Sequence, residues 1–166
     1  MTSEPSSEVS FEFMKHLQSN FAIVAGSVLE DLLEAALQSK MRDGLSAGLK
    51  DRLFSGYGPL STFSGKIEIA FAFSYFDVQI YNDLRAIKDI RNKFAHATDF
   101  LNFSSPELER DAQKLTGWTK DCDVDTLFKE RFSACANAIK EHLKTSDLIN
   151  ALRNYKRPDA SSDKSP

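Results

Sequence analysis

The sequence predicts an all-α protein, an irregular bundle of about five to seven helices. Three observations carry that expectation. Apolar residues recur at helical spacing in several long windows, and capping residues stand at the heads of those windows. No run alternates apolar and polar residues as a half-buried strand would.

The chain has 166 residues, about one domain, enough to close a single core without a disulfide or a metal. Residues 1–9 read as a disordered lead, 10–155 as one helical domain and 156–166 as a disordered Ser/Asp/Pro/Lys-rich tail. Helical periodicity begins at Phe11, with Met14 and Leu17 on the same face. A second helix is expected from about Phe21 to Met41, burying Phe21, Val24, Ala25, Val28, Leu32, Ala35 and Ala36. Its acids, Glu30, Asp31 and Glu34, fall mostly off that stripe. Gly44 and Gly48 bracket a break, and Leu49–Phe54 has room for one short helical turn.

Ser55-Gly56-Tyr57-Gly58-Pro59 is loop chemistry. A helix follows from near Leu60, burying Leu60, Phe63, Ile67, Ala70 and Phe71. Asp77 is the expected N-cap of a long helix from Val78 to about Ala97, with Ile80, Leu84, Ile87, Arg91 and Phe94 on one stripe. Ser104-Ser105-Pro106-Glu107 opens a short helix that ends before Gly117. Asp125 is the expected cap of the last long helix, with Phe128, Phe132, Cys135, Ile139 and Leu143 inward. A terminal helix from Asp147 to about Tyr155 completes the reading.

The net charge of −3 argues against a protein whose main task is to neutralise a phosphate backbone. Cys122 and Cys135 form no CxxC motif and read as reduced thiols. The polar, acidic start is no signal peptide, and no window reaches the ~18 apolar residues of a membrane span. A cytoplasmic protein is expected.

Familiar chemical motifs are missing. Gly65-Lys66 is followed by Ile67, and Leu60 stands where a phosphate-binding loop needs its first glycine. His16, His96 and His142 are far apart, and Glu30, Asp31 and Glu34 lack the Glu-x-x-His partners of a di-metal site. No metal or cofactor is expected.

The helix from Val78 holds the one anomaly. Arg91 lies on its apolar stripe, and a buried guanidinium requires a carboxylate, for which Glu30, Asp31 and Glu34 are the candidates. The structural reading is thus an Arg91–carboxylate clamp between two helices. The functional reading pairs Arg91 with His96, supported by Asn92, as a phosphate-directed site. Histidine would supply acid or base near neutral pH, and arginine would stabilise a phosphorane. On one regular helix Arg91 and His96 point roughly 140° apart, so they cooperate only across a kink or a dimer.

The run Gly58-Pro59-Leu60-Ser61-Thr62-Phe63-Ser64-Gly65-Lys66-Ile67, with Asp83-Leu84 and Ile90-Arg91-Asn92-Lys93-Phe94-Ala95-His96, resembles the mannitol operon repressor (MltR) family. The helix Ala25–Glu34 and the pair Arg131-Phe132 are similar too, so the resemblance spans roughly Phe21 to Leu143. It implies an all-helical fold and negative regulation of sugar-alcohol operon transcription. Arg91 to His96 also matches the R-x4-H pattern of HEPN domains, some of which are metal-independent ribonucleases or toxins and others binding modules. That resemblance would make Arg91, Asn92 and His96 the active residues.

No helix-turn-helix with a basic second helix is present, and Arg85, Lys88, Arg91 and Lys93 are offset by Asp83 and Asp89. The favoured expectation is a regulator acting through a protein partner or transcription factor. DNA, RNA and a second copy of the chain stay open as further partners. The alternatives are a HEPN-type ribonuclease and a non-catalytic helical interaction module.

Overall fold

The computed structural model describes residues 6–97 and 101–143, with side chains from His16 onward. All regular structure in it is helical. In order the helices are α1 (Ser6–Ser39), α2 (Ala47–Phe54), α3 (Phe63–Ala72), α4 (Val78–His96), α5 (Pro106–Ala112) and α6 (Val124–Lys140). The expected terminal helix from Asp147 and the tail 156–166 lie outside the described residues, as do positions 1–5 of the lead.

Helix α1 is longer than the sequence predicts. Two helices were expected, yet one helix of 34 residues runs from Ser6, inside the stretch read as a lead, to Ser39. Neither glycine nor proline stands between Phe11 and Phe21 to break the backbone ladder. The buried face differs too, consisting of Ala22, Ala25, Leu29, Leu32, Leu33, Ala36 and Leu37, while Val24 is exposed. At 100° per residue that face is turned by roughly 80° from the expected stripe. The cause is crowding. Three helices, α3, α4 and α6, pack on α1, so its apolar arc is wider than a single stripe.

Side-chain contacts fix the directions of the central trio. Gln18 donates to Asp125 at the start of α6, and Ser39 donates to the carbonyl of His142 just past its end, so α1 and α6 run parallel. Tyr75, just before α4, bonds the carbonyl of Ala36, while Arg91 near the end of α4 lies on Gly26. Helix α4 is therefore antiparallel to both. Its inward set is Asp83, Leu84, Ala86, Ile87, Ile90 and Phe94.

Phenylalanine fills the end of the bundle near Arg91. Rings run from Phe94 to Phe103 at 5.2 Å, on to Phe128 at 5.0 Å, then to Phe21 at 6.1 Å and Phe132 at 5.9 Å. Most are edge-on or tilted, as the ring quadrupole prefers.

Caps set the boundaries. Thr62 accepts from Gly65 N and Asp77 from Ile80 N, so α3 begins at Phe63 and α4 where the sequence placed it. Leu60, expected to open α3, is a buried loop residue before it. Asp123, not Asp125, caps α6: its carboxylate accepts from Thr126 N at 3.3 Å and from the Thr126 hydroxyl at 2.5 Å. Asp125, one residue inside the helix, pairs instead with Lys129 at 2.9 Å.

Candidate functional site

The expected clamp between Arg91 and an acid of α1 is not formed. Lys66 of α3, 4% exposed, takes that place: its Nζ lies 2.8 Å from Glu34 and 3.3 Å from Glu30. The reason is axial. Glu30 and Glu34 are i,i+4 neighbours and both are engaged by Lys66, whereas Arg91 meets α1 one turn nearer its N-terminus, at Gly26, where no acid stands. Asp31 is exposed and makes no ion pair among the described residues. Partial shielding of its carboxyl, then the charge of Glu30, raise its pKa.

The buried charge clamp joins α4 to α6 instead. Asp83 has no exposed surface, and Arg131 Nε and Nη2 both lie 2.9 Å from its Oδ2. Its Oδ1 accepts from Thr116 N at 2.7 Å, so both carboxylate oxygens are used. Cys135 lies beside this pair, and burial, followed by the charge of Asp83, pushes its thiol far up. Both cysteines are free. Asp83 and Arg131 carried no weight as site residues in the sequence because 48 positions separate them. Two signals were available: an acid at a position flanked by core residues, and the presence of both Asp83 and Arg131 in the motifs of the family resemblance.

Arg91 sits at the seam of α1 and α4, half-buried, its stem against the bare backbone of Gly26. Its Nη1 donates to Asn92 Oδ1 at 3.0 Å. Its Nε is buried and has no hydrogen-bond partner. His96 is the exposed last residue of α4 and has no partner among the described residues. The helix is continuous through both, so the arithmetic of roughly 140° holds and no kink brings them together within one chain.

Setting Arg91 beside the other cations makes it stand out. Five lysines and arginines are buried or half-buried among the described residues: Lys66, Lys88, Arg91, Lys93 and Arg131. Four have a carboxylate within 3.1 Å: Lys66 with Glu34, Lys88 with Asp89, Lys93 with Asp111 and Arg131 with Asp83. Arg91 alone has none.

Comparison with protein-family models, curated proteins and solved structures returned no match.

The C-terminal end of α4 is held against α5 by charge. Lys93 pairs with Asp111 at 2.8 Å and also donates to the carbonyl of Glu107. Lys114 reaches Asp111 at 2.6 Å and Asp89 at 3.2 Å. Burial alone would raise the pKa of Asp111, but hydrogen bonds from Lys114 and Lys93 outweigh it and hold the carboxyl below its usual range. Lys114 is raised in turn, first by its bond to Asp111.

No group of three metal-ligating side chains occurs among the described residues. His142 is stacked on Tyr75 at 4.5 Å, with its Nε2 against the Tyr75 carbonyl. Lys66 points inward to Glu30 and Glu34, so it is not placed to reach a phosphate from Gly65. No described helix is long and apolar enough to cross a membrane.

Proposed function

We propose that this chain is a cytoplasmic helical regulator that acts through a protein partner and offers Arg91 to an anionic group of that partner. One observation carries the reading: Arg91 is the single half-buried cation of the described residues left without a carboxylate. A guanidinium at a helix seam is costly unless an oxygen acceptor completes it. A carboxylate or phosphate brought by a partner supplies that acceptor in fork geometry.

A protein is favoured over DNA because the neighbouring cations are taken. On α4, Lys88 and Lys93 are ion-paired and Arg85 bonds the Tyr81 hydroxyl. Exposed Lys40, Arg42, Lys50 and Arg52 alternate with Asp43 and Asp51. A DNA reader needs several free cations on one face. The motif resemblance supplies the biological setting, negative regulation of a sugar-alcohol operon. A mannitol-operon reporter tests it: wild-type protein lowers expression and Arg91→Ala does not, at equal protein level. An inert wild type would end the proposal. A shift of promoter DNA by the protein alone at ~150 mM salt would replace the partner with direct binding.

A second reading is favoured by the same open Arg91 together with exposed His96. In a dimer that sets Arg91 of one copy near His96 of the other, the pair could cleave RNA. The 2′-hydroxyl loses its proton to His96 and attacks the adjacent phosphorus. The bond to the 5′-oxygen breaks and that oxygen takes the proton back from His96, giving a 2′,3′-cyclic phosphate and a free 5′-hydroxyl, while Arg91 stabilises the phosphorane. Incubation with RNA in EDTA, beside Arg91→Ala and His96→Ala, tests this directly. Intact RNA with the wild type rules it out, and cleavage lost in both variants establishes it.

A further inference from the structure

We infer that Gly26 is a positioning residue for Arg91, its missing side chain being the seat on which the arginine stem lies. This rests on the reading of Arg91 as the group offered to an anion. Gly26 is buried in the interior of α1, where glycine is a poorer choice than alanine. Its backbone does not require it, since the glycines with positive φ are Gly44, Gly56 and Gly117. The requirement is spatial. A Cβ at Gly26 would lie 2.6 Å from Arg91 Cγ, 3.0 Å from its Cβ and 3.4 Å from its Cδ. The three nearest atoms all belong to one side chain.

Gly26 and Asn92 therefore hold Arg91 from two sides. The glycine admits the stem into the α1–α4 seam, and the side-chain Oδ1 of Asn92 anchors Nη1. A side chain at position 26 drives the stem out, breaks the Asn92 bond and lets the guanidinium swing into water. A preset guanidinium loses less freedom on binding an anion than a swinging one. The structure thus predicts that a residue 65 positions away in sequence controls the arginine without touching the ligand.

The test follows the Arg91 Nε–H resonance in arginine-labelled protein, identified by its loss in Arg91→Ala. Inorganic phosphate and a glutamate-rich peptide serve as separate probes of the anion. In the wild type the resonance responds to at least one probe. In Gly26→Ala it moves before any probe is added, its hydrogen exchange quickens about tenfold, and its response to the probe weakens. Gly26→Ala should also raise Tm in an Arg91→Ala background, where only the Cβ contact remains and alanine is the better helix former. If Gly26→Ala alone does not fold, recovery of folding in Gly26→Ala/Arg91→Ala supports the inference and continued failure overturns it. An unmoved resonance in Gly26→Ala, or an equal fall in Tm with and without Arg91, also overturns it. A resonance moved by Gly26→Ala in a protein that answers neither probe keeps Gly26 as the positioner and removes the anion reading instead.

Discussion

At the scale of single residues, charge placement separates what holds the fold from what is left for function. Asp83 and Arg131 form a fully used clamp in the interior between α4 and α6. Removing one partner of such a pair strands the other, so Asp83→Ala is expected to cost about 3–5 kcal/mol in urea unfolding. Asp83→Leu with Arg131→Met should recover much of that loss, because a well-packed apolar pair can replace a buried ion pair. A double variant no better than the single one would show that the Thr116 amide, not Arg131, sets the cost. Arg91 was legible as an anomaly from helical spacing alone. Its surroundings were not, because whether Arg91 meets Glu30 or Gly26, one turn away on the same side of α1, depends on how far α4 slides along α1, and only packing decides that.

At the scale of elements, boundaries follow local chemistry and were mostly readable. Asp77 caps α4 and Pro106 opens α5 where the sequence placed them, but Ser105 makes no cap bond, its hydroxyl being taken up by Asn102. Helix α6 is the instructive exception, since Asp123 and Asp125 both precede the apolar run and only one can reach the amide three residues on. The Thr126 hydroxyl decides between them by adding a second bond to Asp123 and lowering its pKa. Asp123→Ala should therefore cost about 1 kcal/mol in chemical denaturation. Asp125→Ala removes a pair with an exposed lysine and a long 3.5 Å bond from Gln18, but also a buried Oδ1 that has no partner, so it should cost under about 0.5 kcal/mol. The reverse order would return the cap to Asp125.

The junction of α4 and α5 adds a pH dependence with a definite sign. Asp111 is held below its usual carboxylate range, so the folded state binds its proton less readily than the unfolded chain does. Its contribution is complete above the unfolded value of about 3.9 and is lost as pH falls through the lower folded one. Asp111→Asn should lower Tm at pH 7 and narrow its gap to wild type below about pH 4. A gap constant from pH 7 to 3 would assign the loss to packing instead. The same junction fixes the last turn of α4, where His96 sits, so the charge ladder bears on the site as well as on stability.

For the whole molecule, α1, α4 and α6 pack on one another and their buried residues join one cluster from Ala22 to Ile139. That continuity was only partly visible in the sequence, which marked each apolar window but not the ring chain from Phe94 to Phe132 that ties them together. A single cluster implies cooperative unfolding, with no element keeping its helix once the others are lost. Trp118 gives a local check, because it is the only tryptophan and packs against the core from the connection between α5 and α6. That connection also contains Thr116, whose amide bonds buried Asp83, and Lys114, which bonds Asp111. Tryptophan fluorescence should therefore follow far-UV circular dichroism, with coincident urea midpoints. Asp83→Ala should move both together. If fluorescence changes at lower urea than helicity, α5 and its connection open as a separate unit. The Lys93–Asp111 bridge would then tie the end of α4 to a part that opens before the rest.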